Sequence, residues 1–346
     1  MKFDTLFEIP VIQGPMAGGA CTPELVAAVS NAGGLGAFPG SLLAPHVIAE
    51  QVERIRALTS RPFMLNFFVQ GTPAPSGDEV DRAVELLRPV CASLGWSELP
   101  RPIKWNEDFA AQFDTLVALR PAAASFTFGI LERSQVERLH AADILVIGTV
   151  TTAEEALAWQ AIGADAVVAS GIEAGGHRGT FMGRQEDARL TAAELWPTVA
   201  AAVTIPVIAA GGIMSGADIK RALALGARAV QMGTAFLVTD EAAIHPAYKA
   251  RLVRGVGTTR LTRSFSGRYA RGIENRFMQQ MAAVEGQVPP YPIQNALTGP
   301  IRAAAAASGD TELMSMWAGT EFARARPMPA GRLVKLLATE LQSLQS

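Results

Sequence analysis

Eight short apolar segments recur along the chain, and patterns with the spacing of amphipathic helices lie between them. The apolar segments cover residues 11–14, 35–38, 63–69, 124–128, 144–147, 166–169, 206–210 and 229–232. Short apolar runs that alternate with helices are typical of buried parallel strands. Eight such units close most naturally into a (β/α)8 barrel, so an α/β TIM barrel is the predicted fold class.

An open, doubly wound sheet is the rival fold for the same alternation. That fold binds dinucleotides through a G-x-G-x-x-G turn that follows a strand. After Gly34 and Gly36, the position of the third glycine holds Pro39. The other predicted strands lack the pattern as well, and the barrel is therefore favoured.

The alternation is interrupted by residues 70–113, which contain five prolines, two tryptophans and helical patterns around 80–87 and 108–119. This segment is long for a connecting loop, and loops of that length are usually functional. We therefore expect it to contribute to a binding site.

Composition excludes several classes of partner. Apolar residues make up 49% and charged residues 18% of the chain, and the formal charge of −2 gives no reason to expect nucleic acid or an anionic membrane surface. Cys21 and Cys91 are too few for a disulfide framework. The most apolar window, residues 197–213, is too short and too broken by proline and glycine to span a bilayer. We expect a soluble, cytoplasmic protein.

The carboxyl ends of barrel strands form the site in folds of this kind, and the last two strands end in glycine-rich turns. Gly211 and Gly212 follow the seventh strand, and Gly233 and Thr234 follow the eighth. Loops at these two places commonly bind phosphate. A cofactor with one phosphate at the rim and a planar ring across the mouth is FMN, which is the predicted cofactor.

Asn66 is the one polar residue in the third apolar segment. It either hydrogen-bonds the polar edge of a flavin or is a buried amide satisfied by its neighbours, and the sequence leaves both interpretations open.

The loop after the sixth strand has four glycines, at positions 171, 175, 176 and 179, around His177. Glycine lets the backbone adopt positive φ and approach a ligand closely. The pattern predicts a segment that is neither strand nor helix, either a ligand-binding loop or a mobile surface turn with an incidental histidine.

Several separated motifs resemble the nitronate monooxygenases, formerly called 2-nitropropane dioxygenases. They are MAGG at 16–19, TPELVAAVSNAGGLG at 22–36, LNFF at 65–68, GIEAGGHRG at 171–179, AGGI at 210–213 and QMGT at 231–234. Segments 291–298 and 313–322 are similar to the class I branch, and the resemblance runs from about residue 9 to residue 337. It implies an FMN-binding barrel formed by residues 1–70, 114–240 and 300–346, with a helical substrate-covering domain formed by 71–113 and 241–299.

The resemblance also implies an activity and a set of contacts. The activity is oxidation of an alkyl nitronate, such as propionate 3-nitronate, by O₂ to a carbonyl compound plus nitrite or nitrate. The implied contacts to FMN are Met16 and Ala17 (through their backbone), Asn66, Ser170, Gly175, Gly212, Gln231, Met232, Gly233 and Thr234. Ser170 stands where the family often has glutamine, and Thr127 stands where related members often have histidine.

His177 is the predicted catalytic residue. Imidazole titrates near neutral pH, so His177 could remove the α-proton of a neutral nitroalkane and then, once protonated, hold the nitronate. Two alternatives remain open: an FMN-dependent enoyl-acyl-carrier-protein reductase that uses NAD(P)H and shares the loop motif, and a non-catalytic barrel that binds flavin or phosphate. The sequence does not determine the oligomeric state.

Overall fold

The computed structural model describes residues 2–344, and its main sheet has eight parallel strands. In chain order the strands are β1 (Val11–Gln13), β2 (Gly36–Pro39), β3 (Phe63–Phe68), β4 (Ala123–Thr127), β5 (Leu145–Val150), β6 (Ala166–Ser170), β7 (Gly176–His177), β8 (Val207–Ala210), β9 (Ala229–Met232), β10 (Thr259–Thr262) and β11 (Ala270–Ile273). The sheet order is β1-β9-β8-β6-β5-β4-β3-β2, while β10, β11 and β7 form a small antiparallel sheet.

The main sheet closes into a ring between its first and last strands. Gln13 N–H donates to Leu35 O and Leu35 N–H donates to Val11 O, both at 2.9 Å. These bonds join β1 to the segment that leads into β2. The predicted (β/α)8 barrel is confirmed.

Helices follow the barrel strands and form the outer ring and the cover. They are α1 (Pro23–Asn31), α2 (Pro45–Leu58), α3 (Gly77–Ser93), α4 (Phe109–Leu119), α5 (Arg133–Ala141), α6 (Ala153–Ala161), α7 (Ala192–Ala202), α8 (Gly216–Ala224), α9 (Pro246–Arg254), α10 (Arg276–Met281), α11 (Ile293–Leu297), α12 (Gly299–Ser308) and α13 (Ala330–Ser343). Hydroxyl N-caps position several of them: Thr22, Thr152 and Ser215 each accept the backbone N–H three residues on.

The barrel interior is filled by alternate residues of the strands. Ile12, Met64, Ile147, Val168 and Ile208 point inward, and they pack with Phe3 and Leu6 of the N-terminal segment. Since side chains alternate between faces along a strand, the next inward position lies two residues further on. At the carboxyl ends these inward positions are mostly polar, and they form the floor of the site described below.

A separate apolar cluster lies outside the barrel, formed by α3, α9, α10, α11 and α12 with the segment that follows them. Phe113 and Leu116 of α4 instead belong to the core between strands and outer helices. The division into a barrel and a covering domain stays a prediction, and this packing supports it.

Across residues 2–344, every helix is too short or too polar to cross a lipid bilayer.

Candidate functional site

The floor of the site is built from inward-facing residues at the carboxyl ends of the strands. Asn66 and Phe68 of β3, Ser125 and Thr127 of β4, Thr149 of β5, Ser170 of β6 and Gln231 of β9 all line one cavity. Each lies two or four residues beyond an apolar residue of the barrel interior. The strand alternation that fills the barrel therefore also turns these side chains toward its mouth.

The cavity has a volume of about 680 Å³ and brings together all eleven residues predicted for cofactor binding and catalysis. They are Met16, Ala17, Asn66, Ser170, Gly175, His177, Gly212, Gln231, Met232, Gly233 and Thr234. Five separate segments, at the ends of β1, β3, β6, β8 and β9, contribute to this set, which is how the ends of parallel strands meet in a barrel. Their individual roles stay predictions.

Asn66 is 3% exposed and has several hydrogen-bond partners. Its Nδ2 donates to Ser125 Oγ at 2.9 Å, to Ser125 O at 3.2 Å and to Thr127 Oγ1 at 3.3 Å. The amide nitrogen is thus satisfied by neighbours, as one interpretation of the sequence expects, and the residue also lines the cavity, as the other requires.

The glycine-rich turns after β8 and β9 form one rim of the cavity. Gly211 and Gly212 have φ of +112° and +72°, which L-residues rarely adopt. A Cβ at Gly233 would meet only the Met16 side chain, at 3.8 Å or more, so this backbone faces open space. Thr234 Oγ1 accepts the N–H of Gly319 at 3.0 Å, which ties a C-terminal segment to this rim.

The glycine loop after β6 is not wholly irregular, and the prediction that it contains no strand is wrong. Gly176 and His177 form β7, which pairs with Arg271 and Ala270 of β11. The physical reason is a distant partner: β11 lies about ninety residues on in the sequence and offers an open edge that local pattern analysis does not reveal.

Gly175 is packed tightly against the C-terminal segment. An added Cβ would lie 2.5 Å from Gly319 N and 2.6 Å from Ala318 C. In addition, Thr320 N–H donates to Glu173 O at 3.0 Å. The glycine at this position therefore permits a close approach of two backbones.

The start and end of the same loop are held by two arginines, the buried Arg178 and the half-buried Arg268. Arg178 is 1% exposed, and its Nη1 donates to Ser170 O at 2.9 Å and to Gly171 O at 2.7 Å. Arg268 Nε donates to Arg178 O at 2.8 Å. Glu155, also buried, accepts the N–H groups of Phe181 and Met182. The loop that carries His177 is thus a fixed part of the structure and not a mobile turn.

His177 lies inside a cage of aromatic rings. Its ring centroid is 5.6 Å from Phe128, 5.6 Å from Tyr291 and 5.3 Å from Trp317. Nε2 is 2.8 Å from Ser266 Oγ. Because Ser266 donates its single hydroxyl proton to Arg268 O at 3.0 Å, it accepts from His177 Nε2–H, and Nδ1 keeps its lone pair.

The electrostatic surroundings favour a neutral imidazole. Burial, together with the nearby Arg268 and Arg302 guanidiniums, lowers the pKa of His177 to about 3. His177 therefore carries no charge at neutral pH, whereas the sequence alone suggested titration close to neutrality. Burial raises the pKa of Tyr291 to about 12, so its hydroxyl stays protonated.

Several cavity residues were not among those predicted. Phe68, Ser125 and Thr149 follow from the period-two alternation of strands that the sequence does reveal. Tyr291, Arg302 and Trp317 come from segments far along the chain, and so does Ser266, which contacts His177. For the residues from distant segments, the sequence gives no signal of proximity to His177.

Comparisons with known proteins identify the family. Residues 2–340 match the nitronate monooxygenase family. A probable nitronate monooxygenase of Staphylococcus aureus (strain MSSA476) is 39% identical over 339 residues, which cover 97% of this chain and 95% of that protein. A nitroalkane oxidase from Streptomyces ansochromogenes is 41% identical, with a TM-score of 0.90 and coverage of 98% of this chain and 97% of its own.

FabK from Thermotoga maritima is 27% identical, with a TM-score of 0.76 and coverage of 99% of this chain and 96% of its own. The family match includes all eight barrel strands, the glycine turns and the loop that carries His177. With the barrel and the cavity at its mouth in place, this chain belongs to the nitronate monooxygenase family and is an oxidoreductase.

Proposed function

We propose that this chain uses FMN and O₂ to oxidise alkyl nitronates, such as propionate 3-nitronate, to a carbonyl compound plus nitrite or nitrate. The observation that carries the proposal is a single cavity with a glycine-rich rim at one side and an uncharged imidazole in an aromatic cage at the other. Such a cavity accommodates a phosphate-bearing planar cofactor together with a small substrate.

The residues present fit FMN. Gln231 Oε1 is buried and has no hydrogen-bond partner among residues 2–344, and its side chain lines the cavity, as expected of an acceptor that awaits a ligand donor. The open space at Gly233 suits a phosphate, which backbone N–H groups bind well. We propose that Gly212, Gly233 and Thr234 hold the phosphate and that Asn66, Ser170, Gly175 and Gln231 line the ring, with Met16, Ala17 and Met232 beside it.

When bound, FMN supplies the electron transfer between the nitronate and O₂. The protein residues orient the substrate and set its charge state. Phe128, Tyr291 and Trp317 exclude water around His177, and the Arg268 and Arg302 guanidiniums favour an anion in the same space. This environment favours a substrate that enters as a preformed nitronate.

His177 is the proposed catalytic residue, with Nδ1 as the atom that accepts the α-proton when a neutral nitroalkane is offered. Because the pKa of His177 is lowered to about 3, this proton transfer is uphill, and nitroalkanes should react more slowly than their nitronates. In His177→Asn, we expect bound FMN to be retained and activity on nitroalkanes to fall more than activity on nitronates. An equal loss on both substrates would argue against proton transfer at this residue.

The experiment that tests the function is oxygen consumption by the purified, FMN-loaded protein with propionate 3-nitronate and with ethyl nitronate. We expect oxygen uptake with formation of nitrite or nitrate. The matched control is anaerobic mixing with NADPH or NADH, where rapid bleaching of the flavin would favour the reductase alternative. A flavin-loaded protein that consumes no oxygen and is not bleached would support the non-catalytic alternative, and a protein that binds no flavin would overturn the proposal.

A further inference from the structure

Arg302 has no acidic partner among residues 2–344, whereas Arg178 and Arg268 both lie near Glu155. Arg302 lies in the first half of α12 and lines the cavity. Its Nη2 donates to Asn295 O at 2.7 Å and to Asn295 Oδ1 at 3.1 Å. Its buried Nε has no acceptor among residues 2–344, and burial lowers the pKa of the guanidinium.

The other two arginines near His177, the buried Arg178 and the half-buried Arg268, hold backbone groups in place. Arg178 donates to three backbone carbonyl groups of the loop, including that of Ala188 at 3.2 Å. Arg268 donates to two more and lies over the Phe128 ring at 4.2 Å. Arg302, in contrast, contacts Asn295 through one nitrogen, and its side chain lines the cavity.

Acidic charge on the cavity wall lies at the opposite rim. Within the described range, Glu321 is the acidic residue that lines the cavity. Its Cγ would lie 3.8 Å from a Cβ on Gly212, beside the glycine turn, and it pairs with Arg324 at 3.5 Å. The side of the cavity formed by Tyr291, Asn295 and Arg302 therefore carries a positive charge without compensation.

A guanidinium removed from water without a counter-charge is unfavourable, and a bound anion restores the balance. The planar fork of arginine matches a carboxylate, which it binds through two parallel hydrogen bonds. Next to Arg302, the cavity wall is made of Gly299, Ala303 and Ala306, whose small side chains leave room for such a group.

Building on the proposed function, we propose that Arg302 binds the carboxylate of nitronates whose short carbon chain ends in a carboxylate, and that it determines specificity for them. Asn295 orients the guanidinium, and the nitronate end of the substrate lies toward His177. A nitronate with an uncharged tail, such as ethyl nitronate, leaves Arg302 without its partner.

The test compares kcat/KM for propionate 3-nitronate and for ethyl nitronate in the FMN-loaded enzyme and in Arg302→Met. We expect the ratio of the two values to fall by about 10- to 100-fold, mainly through KM for propionate 3-nitronate, because a hydrogen bond to a charged group is lost. Arg302→Lys keeps the charge and should recover part of the ratio. Arg276→Met is the matched control, since Arg276 is a partly exposed residue of α10 paired with Asp310, and it should leave the ratio unchanged.

Equal losses on both substrates in Arg302→Met would overturn the proposal, because they would assign Arg302 to the nitronate group or to the fold. An unchanged ratio without loss on either substrate would overturn the proposal as well.

A binding measurement separates this inference from the proposed activity. We expect calorimetric titration of the FMN-loaded protein to give tighter binding of 3-nitropropionate than of 1-nitropropane, and Arg302→Met to abolish the difference. If the wild-type protein fails to oxidise nitronates yet shows this preference, the function is wrong and the carboxylate site stands. Equal affinity of the wild-type protein for both compounds would refute the site.

Discussion

The uncharged state of His177 can be measured through its effect on folding. The aromatic cage and the two guanidiniums lower the pKa of His177 to about 3, whereas a histidine in an unfolded chain has a pKa of about 6.5. The informative perturbation is His177→Asn combined with a change from pH 7 to pH 5. Asparagine retains a polar group that can donate to Ser266 and does not titrate in this range.

The sign and size of the effect follow from proton linkage. Between the two pKa values the unfolded chain binds a proton at this residue and the folded protein does not, so the free energy of unfolding falls as pH falls. At pH 7 both states are mostly neutral and the contribution is small. A pH of 5 lies about 1.5 units below the pKa of histidine in the unfolded chain, and each unit changes the free energy of unfolding by about 1.4 kcal/mol. The free energy of unfolding is therefore lower by about 2 kcal/mol at pH 5.

The assay is urea unfolding of the flavin-free wild-type and His177→Asn proteins at pH 7 and pH 5, followed by tryptophan fluorescence. The chain has four histidines, and the other three are present in both proteins, so their titration cancels in the difference. We expect the wild-type protein to lose about 2 kcal/mol more than the variant between these pH values. A difference below about 0.5 kcal/mol, the range of ordinary surface effects, would refute the inference that His177 is held neutral.

Three glycines allow two further tests. Gly175→Ala should destabilise the protein by about 1–3 kcal/mol, because the new Cβ would lie 2.5 Å from Gly319 N. In Gly176→Ala the new Cβ meets no atom within 4 Å, and the variant should lose about 1 kcal/mol through its positive φ. Urea unfolding of both variants measures these losses of stability, and an equal loss would contradict the packing argument. Gly233→Val should fold with nearly wild-type stability but lose FMN, because its methyl groups extend into the cavity at the proposed phosphate site. The flavin content after purification measures the loss of FMN, and a yellow, fully loaded variant would contradict the prediction.

Much of the barrel and one part of the site could be predicted from the sequence because both depend on local patterns. Short continuous apolar runs specify the strands, and the alternation of side chains along each strand turns Asn66, Ser170 and Gln231 toward the mouth. The glycine turn after β8 is also visible in the sequence, since Gly211 and Gly212 have positive φ and only glycine adopts it without strain.

The surroundings of His177 could not be predicted because they come from distant parts of the chain. Ser266 is 89 residues away, and Tyr291 and Trp317 lie further still. Aromatic and polar residues of these kinds occur throughout any chain, and local periodicity does not indicate which of them meet. The pKa of His177 depends on this cage and on Arg268 and Arg302, so the expectation of titration near neutral pH rested on the isolated side chain.

The charge balance of the cavity explains why a preformed nitronate suits the proposed activity better than its parent nitroalkane. If His177 accepts a proton from a neutral nitroalkane, an imidazolium must form beside the Arg268 and Arg302 guanidiniums, which already oppose that charge. A nitronate that enters as an anion needs no such proton transfer, and its negative charge compensates the guanidiniums instead of adding to them. We therefore expect the guanidiniums that help to keep His177 neutral also to favour the anionic form of the substrate in the cavity. Removing the Arg302 charge should weaken both effects together, raising the pKa of His177 while reducing affinity for anions.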